Sequence, residues 1–148
     1  MNGKFKLFGC VLALIFNNEG KILAILRRNK PDAGNYNLVG GRMDDGETVA
    51  QAVIREIKEE VGLSVYEKDV EVVSAIHRLI NNEEPKWNSI EFVVIIKRFE
   101  GVAQNLEPEF CERLDWLDAD NLPENITPYA KIAIDNYLHK HLFSEVDS

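Results

Sequence analysis

Three glutamates in one predicted helix carry the clearest chemical signal in the sequence. Glu56, Glu59 and Glu60 are three and four residues apart, so their carboxylates share one face of about one helical turn. On an arbitrary surface helix such a run is a solvated face, because glutamate is a good helix former. The alternative is a divalent metal site, since hard cations such as Mg²⁺ bind carboxylate oxygens.

The segment before the helix favours the metal site. Gly40 and Gly41 allow the backbone to approach a ligand closely. Arg42 and Arg55 are the only basic residues between positions 31 and 57. We expect Arg55 to orient carboxylates through bidentate hydrogen bonds. Glu47 can support the same framework from the helix start, where its charge suits the helix dipole.

The helix that carries these glutamates has recognisable ends. Thr48 followed by Gln51 resembles a capping box, and Gly62 suits a left-handed C-cap. Apolar residues recur at spacings of three and four and form one buried stripe. They are Ala50, Val53, Ile54, Ile57 and Val61.

The remaining pattern predicts one α/β domain over residues 1–148, with a sheet covered by at least two helices. Leu38–Gly46 is predicted as a short apolar stub followed by a turn, and the segment 81–86 as a polar turn. A second helix begins with Thr127 as N-cap and Pro128 at its first position. The predicted strands are Leu7–Phe16, Ile22–Arg28, Val70–Ile80, Ser89–Phe99 and Arg113–Leu117.

Composition excludes several classes of protein. The 148 residues include 17 Lys and Arg against 25 Asp and Glu, a net charge of −8. A chain this acidic, without a basic stripe, lacks the features of stable nucleic-acid binding. The apolar run near the N-terminus is too short for a membrane span of about 20 residues. Cys10 and Cys111 are predicted to be reduced thiols of a cytoplasmic protein.

The glycines, glutamates and arginine together form a motif. Gly41, Glu47, Arg55-Glu56-Ile57, Glu59-Glu60 and Gly62-Leu63 resemble the signature box of the Nudix hydrolases, with all nine defining positions filled. The box covers residues 41–63. The resemblance, which is closest to MutT-like members, implies a three-layer α/β/α sandwich with a mixed β-sheet.

The resemblance also implies a reaction. Nudix hydrolases cleave a pyrophosphate bond in a nucleoside diphosphate linked to another moiety, with Mg²⁺ or Mn²⁺. By this analogy Glu56, Glu59, Glu60 and the Gly41 carbonyl hold the metals, while Glu47 and Arg55 order the loop and helix. Metals would also neutralise phosphates that an acidic protein otherwise repels.

The general base is predicted to be Glu56, which is central in the cluster. In some family members a glutamate outside the box supplies the base or an extra ligand. Glu112, and after it Glu109, are the candidates here, with plain surface charge as the alternative.

Substrate contacts are predicted at three further positions. Arg42 is expected to touch phosphate, and its alternative is a solvated loop cation. Trp87, in a polar turn, is a candidate for stacking on a base. Asn125, or its neighbour Ile126, occupies the loop where MutT-like enzymes use an asparagine to bind the base.

The substrate class follows only by elimination. Segment 78–82 has neither the proline nor the tyrosine that marks ADP-ribose or dinucleoside polyphosphate subfamilies. This favours conversion of a nucleoside triphosphate, an oxidised one included, to the monophosphate and pyrophosphate. Another diphosphate-linked metabolite, or a non-catalytic nucleotide-sensing domain, is the alternative. The resemblance also admits a homodimer.

Overall fold

The computed structural model describes residues 6–81 and 86–147, which form seven strands and two α-helices. The strands are β1 (Leu7–Ile15), β2 (Ile22–Arg27), β3 (Tyr36–Arg42), β4 (Val70–Ile80), β5 (Trp87–Ile96), β6 (Cys111–Leu117) and β7 (Phe143–Asp147). The helices are α1 (Val49–Val61) and α2 (Pro128–Leu138).

All seven strands belong to one sheet, in the order β6-β2-β3-β1-β5-β4-β7. The pairs β1–β5 and β4–β7 are parallel and the other pairs are antiparallel. The sheet is therefore mixed, as predicted. Parallel pairing of β1 with β5 brings the starts of both strands to one end of the sheet, where β3 ends against Cys10.

Alternating side chains give the sheet two apolar faces. On β1, Val11, Ala13 and Ile15 pack with α1, whereas Leu12 and Leu14 pack with α2. Because successive strand residues point to opposite sides, one apolar strand supplies both cores. The helices thus cover opposite faces, which confirms the three-layer sandwich. We call these the α1 face and the α2 face.

Helix α1 begins and ends as its sequence predicts. The Thr48 side chain accepts a hydrogen bond from the Gln51 backbone, and the Gln51 side chain accepts one from the Thr48 backbone. Gly62 ends the helix with φ of 75°, a left-handed conformation that a residue with a Cβ adopts only with strain. These two caps fix where the glutamates of α1 lie.

One prediction about local structure is wrong, one strand was not predicted, and one predicted cap lacks its hydrogen bond. Gly40, Gly41 and Arg42 belong to strand β3, paired with β1, and not to a turn. Strand β7, parallel to β4, was not predicted. Thr127 precedes α2 in an extended conformation, but its side chain makes no capping hydrogen bond.

Two further observations complete the fold. Most of the polar turn predicted between β4 and β5 lies outside the described residues. Neither helix in residues 6–81 and 86–147 has the length and apolar content of a membrane span.

Candidate active site

Arg55, in the middle of α1, is the centre of an ion-pair network. Its Nε and Nη2 donate to the two carboxylate oxygens of Glu47, at 2.6 and 3.0 Å. Its Nη1 donates to Glu56 at 2.9 Å and to Glu59 at 3.3 Å. Nη2 also reaches the Arg42 carbonyl at 3.2 Å. The guanidinium therefore ties the loop, the end of β3 and the glutamate face of the helix together.

Glu56 lies directly against Gly41. A Cβ added to Gly41 would meet the Glu56 Cδ and Oε1 at 2.8 Å and Oε2 at 3.0 Å. Glu60 lies deeper, with 9% of its surface exposed, and accepts a hydrogen bond from the Gly40 amide at 3.2 Å. The absence of a Cβ at position 41 therefore lets the strand backbone and the Glu56 carboxylate lie this close together.

The environment shifts the pKa of several of these groups. Arg55, followed by the Asp44 amide, holds the pKa of Glu47 at about 2, so this carboxylate stays ionised. Burial, reinforced by Glu56, raises the pKa of Glu60 above its ordinary value. Burial, followed by repulsion from Glu56 and Glu59, also raises the pKa of Glu107. Arg55 thus stabilises the ionised form of Glu47. Glu56 repels both Glu60 and Glu107.

Glu107 joins this cluster from outside the helix. It lines a small cavity together with Glu60, Arg27 and Cys111. The preceding loop is bound to the end of α1, because the Leu106 amide donates to the Glu60 carbonyl at 3.2 Å. Sequence reasoning missed Glu107 because no local pattern shows that this loop returns to the helix.

The two glutamates predicted outside the box lie elsewhere. Glu112 is exposed where the pairing of β2 with β6 is irregular, and it does not line the cavity that contains Glu60. Glu109 is exposed as well, and its backbone carbonyl accepts a hydrogen bond from Asn29. The structure therefore places Glu107, and neither of them, beside the cluster.

The donor set fits a hard divalent cation, although it is not assembled as a finished cage. All the available donors are carboxylate or carbonyl oxygens, the ligands that Mg²⁺ and Mn²⁺ prefer. Within residues 6–81 and 86–147, no three acidic, histidine or cysteine side chains are already arranged to hold a metal ion. Arg55 instead occupies oxygens of Glu56 and Glu59. Arg55 bonds to one oxygen of each of these two glutamates, so their other oxygens are the ones left to a cation.

A larger cavity of about 400 Å³ opens on the α2 face, beside the same end of β3. Its floor is formed by side chains of β1, β3, β4 and β5, and Tyr129 of α2 forms a wall. Gly40, Gly41 and Arg42 form the edge that it shares with the glutamate cluster. Its volume is that of a small-molecule site.

Two of the predicted substrate contacts lie at this cavity. Arg42 places its guanidinium over the ring of Phe8, 4.0 Å from the centroid, and 5.7 Å from that of Trp87. Both Arg42 and Trp87 line the cavity, but Trp87 is the first residue of β5 and not part of the predicted turn. Their positions are compatible with the predicted roles, which stay predictions.

Asn125 does not line the cavity. Its side chain donates to the Gly34 carbonyl at 3.0 Å, and its own carbonyl accepts from the Tyr36 amide. It therefore joins two loops. Ile126, the alternative at this position, is buried in the core on the α2 face. Asn37, which sequence reasoning did not consider, lines the cavity and donates to the Tyr129 hydroxyl at 2.7 Å.

Comparison with known proteins decides the family. The family model of the NUDIX domain matches residues 6–137. The chain belongs to the Nudix hydrolase family. As a Nudix pyrophosphohydrolase it is an enzyme that cleaves a diphosphate linkage.

Individual relatives agree with this assignment. The chain is 34% identical to the ADP-ribose pyrophosphatase of Methanocaldococcus jannaschii, over 82% of this chain and 68% of that protein. It is 32% identical to the 8-oxo-dGDP phosphatase of Mus musculus, over 76% of this chain and 33% of the mouse protein. The crystal structure of the MutT Nudix hydrolase from Burkholderia pseudomallei superposes with a TM-score of 0.79 at 30% identity. That superposition covers 88% of this chain and 97% of the other.

Proposed function

We propose that this Nudix enzyme hydrolyses a nucleoside triphosphate, oxidised nucleotides included, to the monophosphate and pyrophosphate. The observation that carries the proposal is the contact between Gly41 and Glu56, because it places a carboxylate at the edge of a cavity of nucleoside size. The cavity would take the nucleoside, and the phosphates would extend over Gly40 and Gly41 towards α1.

Mg²⁺ or Mn²⁺ would be held by Glu56, Glu59, Glu60 and the Gly41 carbonyl. A bound divalent cation supplies charge neutralisation at the phosphates and lowers the pKa of a coordinated water. The ligands named here are hard oxygen donors next to the space where the phosphates would lie. Burial and the nearby Glu56 raise the pKa of Glu60, and a bound cation would stabilise its ionised form.

Glu56 is proposed as the general base. Arg55 donates to its Oε1, so Oε2 is the oxygen that would take the proton of the attacking water. Glu107 takes the place of Glu112 as the second candidate. It lies in the cluster and lines the same small cavity as Glu60.

Arg42 is proposed to bind the phosphates. Its guanidinium is held over Phe8 at the edge of the cavity, so its position is fixed while its donors can still form hydrogen bonds. Trp87 is proposed to contact the base from the same edge.

A second candidate is hydrolysis of another nucleoside diphosphate compound such as ADP-ribose. The name of the Methanocaldococcus relative favours it. The two candidates differ in what lies beyond the diphosphate, which is a phosphate in one case and a sugar in the other.

One experiment tests the reaction and both candidates. The purified protein is incubated with Mg²⁺ and a panel of canonical and oxidised nucleoside triphosphates, ADP-ribose, nucleotide sugars and dinucleoside polyphosphates, and products are separated by chromatography. We expect a nucleoside monophosphate from a triphosphate, and no turnover with EDTA. Faster turnover of ADP-ribose than of every triphosphate would refute the first candidate.

Variants of the cluster test the residue assignments. Glu56→Gln and Glu60→Gln keep side-chain size and remove charge, and we expect turnover to fall by about two orders of magnitude or more. Glu67→Gln, at an exposed position after α1, is the matched control and should keep wild-type turnover. Wild-type turnover of both cluster variants would refute the metal and base assignments.

A further inference from the structure

A buried pair of opposite charges lies on the floor of the cavity. Glu91 of β5 has 3% of its surface exposed, and Arg78 of β4 lies beside it on the α2 face. The guanidinium of Arg78 is stacked over the ring of Tyr129, with Cζ 3.7 Å from the centroid. Both charged side chains line the same cavity, so a ligand in that cavity would contact them.

The hydrogen bonds of this pair are incomplete. Arg78 Nη1 and Glu91 Oε2 are 3.8 Å apart, which is too far for a hydrogen bond. Ser89 donates to the same Glu91 oxygen at 2.7 Å. Within the described part of the chain, Arg78 Nε is buried without an acceptor. The Cys10 thiol is a further hydrogen-bond partner of Glu91, whereas the described residues supply no acceptor to Arg78 Nε. Because a buried charge is costly unless it is fully hydrogen bonded, Arg78 is the member of the pair whose hydrogen bonds the protein leaves incomplete.

The chemistry of Glu91 and Arg78 indicates which ligand would complete their hydrogen bonds. The carboxylate of such a pair presents two hydrogen-bond acceptors, and the guanidinium beside it presents hydrogen-bond donors. Guanine presents the complementary edge, with donors at N1 and at the exocyclic N2 and an acceptor at O6. Adenine in the same orientation would turn the lone pair of its N1 towards the carboxylate, where guanine has an N–H donor. Uracil and thymine offer one donor between two acceptors, and cytosine offers one donor, its N4 amine, beside acceptors at N3 and O2. Guanine alone offers two adjacent N–H donors, one for each oxygen of a carboxylate, next to an acceptor.

Resting on the proposed function, in which this cavity holds the nucleoside, we propose that Glu91 and Arg78 select guanine nucleotides. Glu91 accepts from the two N–H donors, and Arg78 donates to O6. Tyr129 fixes the plane of the guanidinium from the opposite side. Oxidation at C8 leaves this edge unchanged, so Glu91 would recognise guanine and 8-oxoguanine alike.

The test is binding without catalysis. Affinities of GMP, IMP and AMP are measured by calorimetry in EDTA, which prevents turnover. IMP differs from GMP only by the absent N2 amine and needs no protein variant. We expect GMP to bind about tenfold or more tightly than IMP or AMP, because a hydrogen bond to a charged group is lost. Equal or tighter binding of AMP would overturn the proposal.

Glu91→Gln tests the residue itself. Glutamine keeps the size of the side chain but replaces one acceptor by a donor, so we expect the preference for GMP over IMP to fall to about threefold or less. Glu19→Gln, in the exposed β1–β2 turn, should keep the full preference. Thermal unfolding of both variants controls for folding. Equal weakening of all three nucleotides by Glu91→Gln would refute the assignment.

The result is independent of the hydrolysis assay. If the protein shows Mg²⁺-dependent turnover but no preference for guanine, only this inference is refuted. Selective GMP binding without turnover of any substrate would refute the proposed reaction while supporting the base assignment.

Discussion

Gly41→Ala tests how closely the strand approaches the proposed catalytic carboxylate. The new Cβ would lie 2.8 Å from Glu56 Cδ, whereas ordinary contact begins at 3.4 Å, so the carboxylate must move by about 0.6 Å. In enzymes a misplacement of about 1 Å can cost on the order of a hundredfold in rate. We therefore expect kcat to fall by roughly ten- to a hundredfold.

The fold should survive this change, because the displaced atoms are the end of a flexible side chain. Gly40→Ala is the contrasting variant. Its Cβ would lie 2.0 Å from the Val11 carbonyl oxygen, a backbone atom of the neighbouring strand. The β1–β3 pairing must then open, and we expect a loss of several kcal/mol from a total stability of about 5–15 kcal/mol.

The assay is kcat with Mg²⁺ together with the unfolding temperature from circular dichroism, for both variants and the wild type. Wild-type kcat in Gly41→Ala would refute the proposed importance of the Gly41–Glu56 contact. An unfolding temperature of Gly41→Ala as low as that of Gly40→Ala would show that the strand, and not the carboxylate, had moved.

Three further outcomes follow from the same contacts. The pKa of Glu47 is lowered from 4.5 to about 2, so its stabilising contribution is present above pH 4.5 and lost as the pH falls towards 2. The unfolding temperature of Glu47→Gln should therefore fall less than that of the wild type between pH 5 and about pH 3. Glu107→Gln should lower kcat about tenfold or more, whereas Glu112→Gln should leave it within about twofold, and equal effects would refute the placement of Glu107. Asn125→Ala should lower the unfolding temperature, because it removes the hydrogen bond to Gly34, without changing KM for any nucleotide. A raised KM of Asn125→Ala with an unchanged unfolding temperature would instead support the base contact predicted for Asn125.

Local signals predicted α1 correctly because everything that defines it lies within fifteen residues. Thr48 and Gln51 cap each other, and Gly62 takes the left-handed conformation that ends the helix. The three glutamates and Arg55 lie within the same segment and Glu47 directly precedes it, so local sequence was enough to place them near one another. Their chemical roles stay predictions.

Strand β3 was mispredicted because its conformation is decided by a distant partner. Gly40 and Gly41 indicate a turn when only local residues are considered. Pairing with β1 overrides that preference, since a ladder with a buried strand stabilises an extended backbone whatever the local propensity. Strand β7 was missed for a similar reason, because it is a short strand stabilised by its pairing with β4.

Glu107 and Glu91 differ in how visible they are in the sequence. Glu107 reaches the cluster through a loop that is bound to the end of α1, and no spacing rule gives that path. Glu91 does leave a signal. It falls in phase with Val93 and Ile95, which face the core on the α2 face. A charge at such a position of an otherwise apolar strand indicates a buried polar site.

The end of β3 explains how an acidic protein can handle an anionic substrate. Glu56, Glu59 and Glu60 lie on the α1 face, while Arg42 and Arg78, with Glu91 beside them, line the cavity on the α2 face. Arg27 borders both regions, because it lines the cavity of Glu60 and Glu107 as well as the larger one. Gly40 and Gly41 separate the two regions without a side chain that would block passage. One substrate can therefore place its base among the cationic and aromatic groups and its diphosphate over the carboxylates, where divalent cations would remove the repulsion.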